Sequence, residues 1–199
     1  AGLLIRDRSA FERARDVNAI LFDKTGTLTE GRFGVTDVVV PENRDEEEVL
    51  RLAAALEGLS EHPIAQGIVN EAQSRGLGLP AASDFKAIPG KGARAVVDGR
   101  NVKVVSPGYL EEKGLESGDI DVEKLAEEGK TVIYILENDE VIGAIALADI
   151  VRPESREAVD RLKKMGMRAM MLTGDAEAVA KWVAEELGID EYFAGVLPD

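Results

Sequence analysis

The stretch Asn18-Ala19-Ile20-Leu21-Phe22-Asp23-Lys24-Thr25-Gly26-Thr27-Leu28-Thr29 decides the fold. An apolar run, residues 18–22, stops abruptly at an aspartate. Runs of that length bounded by turn residues read as buried parallel strands. Residues 24–32, rich in threonine and glycine, read as a loop. In open α/β sheets the carboxyl ends of strands carry the active site. Asp23 can be presented there to a ligand by converging backbone N–H groups, which bind phosphoryl oxygens without any basic residue. A carboxylate can also act as a covalent nucleophile and form an aspartyl-phosphate. The plainer alternative is an aspartate that merely turns the chain. Thr25 narrows the chemistry. A carboxylate in its place could activate water and hydrolyse an acyl-phosphate, whereas threonine is no base at neutral pH. An intermediate formed at Asp23 should therefore persist.

Outward from this stretch, Leu172-Thr173-Gly174-Asp175 closes a second strand, residues 168–172, and opens a helix over 176–187. Thr173 can donate its hydroxyl to a phosphoryl oxygen, Gly174 lets backbone come close, and a helix N-terminus favours an anion. Asp175 fits the N-cap position, and a capped strand-to-helix turn would explain it alone. The remaining pattern predicts helices at 10–15 (capped by Ser9), 45–59, 63–74, 107–113, 122–128 and 153–165. Strands are predicted at 35–40, 85–88, 93–97, 102–105, 131–136, 141–147 and 192–196. Asp98-Gly99 and Asn138-Asp139 mark hairpins in the middle of the chain. The flanks thus alternate strand and helix, and the middle is an antiparallel sheet with helices: an α+β module inserted into a discontinuous α/β domain.

Composition excludes several function classes. The 199 residues carry 24 Lys+Arg against 38 Asp+Glu, a formal charge of −14. That opposes general nucleic-acid binding and docking on anionic membranes. A polyphosphate must be held here by local devices. With no cysteine and a single histidine, His62, disulfides, thiol catalysis and multi-histidine metal sites are excluded. No stretch reaches the roughly 18 apolar residues of a membrane span, and residues 1–7 lack a signal-peptide pattern. The expectation is a soluble polypeptide.

Asp23-Lys24-Thr25-Gly26-Thr27-Leu28-Thr29 and Thr173-Gly174-Asp175 resemble the phosphorylation and phosphate-binding motifs of the P-type ATPases. The catalytic domain of that family has the haloacid-dehalogenase-like fold. Ser60-Glu61-His62-Pro63 and Gly90-Lys91-Gly92 resemble the nucleotide-binding motifs of its heavy-metal branch. Residues 6–15 and Ser106-Pro107-Gly108-Tyr109-Leu110 lean toward copper pumps of the B type. The likeness covers essentially the whole chain, and Leu3-Leu4-Ile5-Arg6 and Val196-Leu197-Pro198-Asp199 look like the borders of the cytoplasmic loop.

The resemblance implies an α/β, haloacid-dehalogenase-like (Rossmann-like) phosphorylation domain, truncated, with an inserted α+β nucleotide-binding domain on an antiparallel sheet. The phosphorylation domain would comprise residues 1–33 and 148–199, and the insert residues 34–147. Asp23, beside Lys24, would be phosphorylated by ATP. Thr25 would offer its carbonyl to Mg²⁺ and its hydroxyl to the phosphoryl group, so Asp23 and Thr25 form part of a Mg²⁺ site. Thr173 and Gly174 would grip the phosphoryl group, with Asp175 completing their motif. Glu61 and His62 would meet the adenine, the imidazole offering a stacking face while Pro63 fixes it at a helix start. Gly90 and Gly92 would let backbone approach the nucleotide, although a hairpin turn also explains them. Asp149 and Arg152 resemble the hinge motif between the domains, and Asp149 reads equally as an acid before a helix N-terminus.

Two departures modify this expectation. Ser106-Pro107 stands where many heavy-metal pumps carry Gly-Asn, removing one N–H and an amide. The family's catalytic lysine and the aspartate completing its Mg²⁺ site fall after Asp199, so this chain alone is expected to bind nucleotide with little catalysis. The parent would be an ATP-driven heavy-metal exporter, copper the favoured cargo, at the cytoplasmic face of the cell membrane. Its actuator domain and membrane helices would be the partners, and the fragment itself would be soluble and monomeric, with no nucleic-acid partner. Two rival readings are a free-standing phosphatase of the same fold and a non-catalytic nucleotide-binding module.

Overall fold

The computed structural model describes residues 17–196. The helix expected at 10–15, its Ser9 cap, and the border motifs at 3–6 and 197–199 lie outside the described residues. Along the chain run β1 (Ala19–Asp23), β2 (Thr29–Val39), α1 (Glu46–Glu57), α2 (Pro63–Ser74), β3 (Ala82–Ile88), β4 (Gly92–Val97) and β5 (Arg100–Val105). There follow α3 (Pro107–Lys113), α4 (Glu123–Glu127), β6 (Thr131–Glu137), β7 (Glu140–Val151), α5 (Pro153–Lys164), β8 (Arg168–Leu172), α6 (Glu177–Leu187) and β9 (Glu191–Phe193). Two compact units divide at Glu30/Gly31 and Ile150/Val151, where the sequence placed boundaries at 33/34 and 147/148. None of the described helices is long and apolar enough to cross a membrane.

The first unit, the described residues up to Glu30 and from Val151, is built on a parallel sheet in the order β1-β8-β9. Register runs from Ala19 opposite Arg168 to Asp23 opposite Leu172, so both strands end level. Helix α6 buries Ala180, Val183, Ala184 and Leu187 against Met171 and Leu28. Its spacing follows the helical period, and Gly188 ends it in the left-handed conformation that glycine adopts freely (φ 68°). β9 ends at Phe193, short of the expected 196, because the chain then turns back. The N–H groups of Gly195 and Val196 donate to the carbonyls of Asp175 and Thr173 at 2.9 and 3.0 Å.

The second unit, Gly31–Ile150, is a six-stranded sheet in the order β2-β7-β6-β5-β4-β3. Strands β3 to β7 are joined by antiparallel pairs. One face is covered by α1 and α2, which bury Val49, Leu52, Ala53, Leu56 and Ile68 against Val102, Val104, Ile133, Ile135 and Ile145. Such a face contributes on the order of 1.5–3 kcal/mol per fully buried aliphatic side chain. The other face carries Tyr109 and Leu110 of α3 against Val105, Val132, Tyr134 and Leu136. Gly67 explains how close α2 comes. A Cβ there would lie 2.5 Å from the Phe33 carbonyl oxygen.

Several elements differ from the sequence expectation. β2 starts at Thr29, inside the stretch expected as loop, and β7 runs on to Val151. As the edge strand of its sheet, β2 needs ladder partners on one side only, so Gly31 and the charged Arg32 are tolerated. Helix α1 ends at Glu57, leaving Leu59 47% exposed although its spacing placed it on the apolar stripe.

An ion-pair network spans the second unit. Arg100 forks onto Glu137 at 2.5 and 2.7 Å and reaches Glu48 at 2.6 Å, with Arg44 on Glu137 at 3.3 Å. The Arg100 guanidinium holds the Glu137 carboxyl below its ordinary value. A lowered carboxylate contributes stability above its unfolded pKa and loses it as pH falls through its folded value. Glu137→Gln should therefore cost about 1–2 kcal/mol at pH 7. In thermal melts the gap from the parent chain should close as pH drops below the ordinary glutamate range.

Candidate active site

The chemistry of the first unit gathers where β1 and β8 end. Asp23 is the last residue of β1 and is exposed, as are Thr25, Gly26 and Thr27, whereas Lys24 and Leu28 are buried. The turn at 24–28 is tight. Thr25 is extended (ψ 122°) and Gly26 takes φ +76°, a conformation open to glycine at little cost.

Three groups pin this turn. The Lys24 ammonium, on a side chain 5% exposed, pairs with Asp175 Oδ2 at 2.7 Å. The Arg152 guanidinium donates to the carbonyls of Thr29 (3.0 Å) and Gly26 (3.4 Å), and the Arg152 N–H to that of Leu28 (3.0 Å). The buried Ser155 hydroxyl also donates to Leu28 O at 2.9 Å. Thr29 closes the turn from within, donating to Lys24 O at 3.0 Å. With its apolar and carbonyl groups fixed inward, the turn leaves the Asp23 carboxylate facing solvent.

At the end of β8, Thr173 is buried and makes a reciprocal hook with Asp175. Its hydroxyl donates to Asp175 Oδ2 at 3.0 Å and accepts the Asp175 N–H at 3.1 Å. Asp175 is not the helix cap expected of it. Ala176 holds that position with no side-chain bond, and the Asp175 carboxylate turns instead to Lys24 and Thr173. The strand register brings Asp23 level with Leu172, next to Thr173 and exposed Gly174. Arg152 serves the first unit through the turn carbonyls. Asp149 lies in the second unit, where its carboxylate accepts the Arg32 N–H at 3.1 Å.

A second cluster, in the other unit, surrounds His62. His62 caps α2, its Nδ1 accepting the Ile64 N–H at 3.4 Å, so a neutral ring carries its proton on Nε2. Ser60 Oγ accepts the His62 N–H at 3.2 Å, and Glu61 and His62 are exposed. Beneath them lies Glu57, which sequence analysis missed. It is 5% exposed, and its Oε2 has no hydrogen-bond partner among the described residues. Loss of water raises its carboxyl above the ordinary range, against a hydrogen bond with Ser60 and the proximity of His62. Its position at the C-terminal end of α1 adds the unfavourable end of a helix dipole. The signal was present in the spacing: Val49, Ala53 and Glu57 share one stripe of α1. Ser155, inside the helix expected at 153–165, was not singled out either.

The glycine motif divides. Gly90 sits in a turn at φ +68° with open space where a side chain would go, while a Cβ at Gly92 would lie 2.0 Å from the Val104 carbonyl oxygen. Gly92 is thus required by the β4–β5 pairing itself. Between them, Lys91 Nζ donates to Gly108 O at 3.0 Å and Lys91 O accepts the Ser106 N–H at 2.8 Å. Pro107 occupies the first turn of α3 after Ser106 as N-cap, where a missing N–H costs nothing.

Glu57 yields a test. A carboxyl whose folded pKa is raised contributes most below its unfolded value and loses that contribution as pH rises through the folded one. Glu57→Gln should therefore melt above the parent chain at pH 7 to 8, and the difference should vanish near pH 4, as followed by calorimetry.

The haloacid dehalogenase-like hydrolase family matches residues 17–198. The "Copper-exporting P-type ATPase B" of Archaeoglobus fulgidus is 63% identical over 198 residues, covering 100% of this chain and 28% of that protein. The crystal structure of a zinc-transporting PIB-type ATPase superposes with TM-score 0.81 at 37% identity, over 92% of this chain and 29% of the other. The catalytic domain of the CPx-ATPase CopB-B, solved in work on nucleotide binding, gives TM-score 0.61 at 28% identity, over 97% of this chain and 67% of that one. The chain therefore spans little more than a quarter of the curated relative it matches. A β1 that ends on an exposed aspartate, a Thr-Gly-Asp turn after β8 and a family match over residues 17–198 agree: the chain belongs to the haloacid dehalogenase-like hydrolase family, and the relatives it matches are P-type ATPases.

Proposed function

We propose that this chain is the ATP-binding and autophosphorylating region of a heavy-metal-exporting P-type ATPase, with copper as the transported substrate and an aspartyl-phosphate formed at Asp23. On this reading the first unit is the phosphorylation domain and the second the nucleotide-binding domain, and the parent holds them at the cytoplasmic face of a membrane. The observation that carries it is the exposed Asp23 carboxylate at the end of β1, set level with Leu172, the residue before Thr173, ahead of a turn whose backbone is pinned from below. The name of the Archaeoglobus relative supports copper as cargo.

The chain's own groups then act as follows. An Asp23 carboxylate oxygen attacks the γ-phosphorus of ATP, and the bond to the bridging oxygen breaks as ADP leaves. The Thr25 hydroxyl and N–H groups of the 25–27 turn receive the phosphoryl oxygens. The Thr173 hydroxyl, now turned to Asp175, rotates to donate to the same group. The Lys24–Asp175 pair keeps both turns in place. Thr25 is no general base, so the acyl-phosphate lasts, which disfavours a free-standing phosphatase.

For Mg²⁺ the donors present fit a cation shared with phosphate: the exposed Asp23 carboxylate and the Thr25 carbonyl. No group of three or more His, Asp or Glu among the described residues forms a cage, and Mg²⁺ characteristically takes one or two carboxylates plus phosphates and waters. When bound, it neutralises charge on the phosphoryl oxygens. For adenine, the orphan Glu57 Oε2 is a buried acceptor in want of an N–H donor, such as the exocyclic amine. His62 offers its ring above it.

The test combines binding and labelling. Calorimetry should show saturable ATP binding by the chain, with His62→Gln weakening it about tenfold. In the whole transporter, Asp23→Asn should abolish hydroxylamine-sensitive labelling from γ-labelled ATP. Unchanged affinity in His62→Gln would remove the adenine assignment, and persistent labelling in Asp23→Asn would remove the nucleophile.

A further inference from the structure

On the sheet face of the second unit opposite α1 and α2, three cations stand in cross-strand register. Lys86 of β3 is opposite Arg94 of β4, and Arg94 is opposite Lys103 of β5. Neighbouring strands are about 4.8 Å apart, so the row spans roughly 10 Å. Like charges directly opposite one another destabilise a sheet. The arrangement is costly to the bare fold, and it occurs in a chain with 38 acidic residues available as partners. Lys103 is engaged by Asp139 and by the Tyr109 hydroxyl. Among the described residues, Lys86 and Arg94 have no ion-pair partner.

The row is placed by a specific device. Register shifts by one residue between Ser83 and Lys86, with Asp84 bulged out at φ +52°. Without that bulge Phe85 would face Arg94. With it, Phe85 stays on the core that α1 and α2 cover, and Lys86 joins the row. Bulges that re-aim a side chain are over-represented beside binding sites. The three cations line one cavity of about 430 Å³, together with Asn101, Asp84 and Asp139. A volume of that order suits a small molecule. The open Lys86–Arg94 end offers fork and point-charge donors in the pattern that phosphate groups accept.

We propose that this sheet face is an anion site for a small ligand bearing phosphate groups, held by Lys86 and Arg94 with Lys103 at its inner end, and separate from the His62 cluster. The occupant neutralises the like-charge row and so recovers what the row costs the bare fold. Free inorganic or small organic phosphates and the phosphate tail of a nucleotide share this chemistry. The site of contact separates them.

The test is titration of the 199-residue chain with sodium pyrophosphate, followed by amide shifts in NMR and by calorimetry. The expected result is saturable binding whose shifts centre on residues 84–86, 94–96 and 101–103. The double variant Lys86→Gln/Arg94→Gln should weaken it at least tenfold while melting no lower than the parent chain. Four results would overturn the proposal: no saturation at millimolar pyrophosphate, shifts centred on residues 60–64 and 90–92, unchanged affinity in the double variant, or a lower melting temperature in that variant, which would make the row a structural feature.

Discussion

The ion pair between Lys24 and Asp175 is the constraint on which the first unit depends. An ammonium on a side chain this buried is costly unless a carboxylate meets it. Here the Asp175 carboxylate does so from the far turn, after β8. Because one partner precedes the Thr-Gly-Thr turn and the other follows Thr173, the pair cannot form unless β1 and β8 end level. The Asp175 carboxylate is further committed by the Thr173 hook, and Arg152 and Ser155 take up the turn's carbonyls from α5 and its N-cap. The turn's inward carbonyls are thereby satisfied, and its leading carboxylate, Asp23, is left facing water. Structural polar bonds and the exposed Asp23 carboxylate are two sides of one arrangement.

The second unit follows a different logic. Its stability rests on a two-faced sheet and on close approaches that only glycine permits, at Gly67 and Gly92. Two features are local exceptions to that economy. Glu57 sits buried with an orphan oxygen at the end of a helix, and cations stand in register on an otherwise acidic chain. Each costs the fold energy, and such costs motivate the binding roles proposed for them. A net charge of −14 makes such local devices necessary for any phosphate-bearing ligand.

Much of this was legible in the sequence. The abrupt end of 18–22 at Asp23, the helical spacing of Val49, Leu52, Ala53 and Leu56, and the Asn138-Asp139 hairpin all correspond to observed elements. What escaped was whatever depends on a partner remote in sequence. Thr29 to Arg32 read as loop because an edge strand tolerates polar residues. Asp175 read as a cap because its true partner, Lys24, lies far back along the chain. Glu57 was passed over within the helix expected at 45–59, since a carboxylate beside an apolar stripe is ordinarily at the solvated edge. Gly92 read either as a ligand-approach glycine or as part of a hairpin turn, and its crowding against Val104 appears only once β4 and β5 are paired.

The coupling across Lys24 and Asp175 can be isolated by a double-mutant thermodynamic cycle with Lys24→Met, Asp175→Leu and the pair, read by chemical denaturation. The expected coupling is about 1–3 kcal/mol, with each single variant more destabilised than the double would suggest by addition, because each removes one half of the pair and keeps the other half's charge. A coupling within roughly 0.3 kcal/mol of zero would contradict the claim that this pair holds the two turns together.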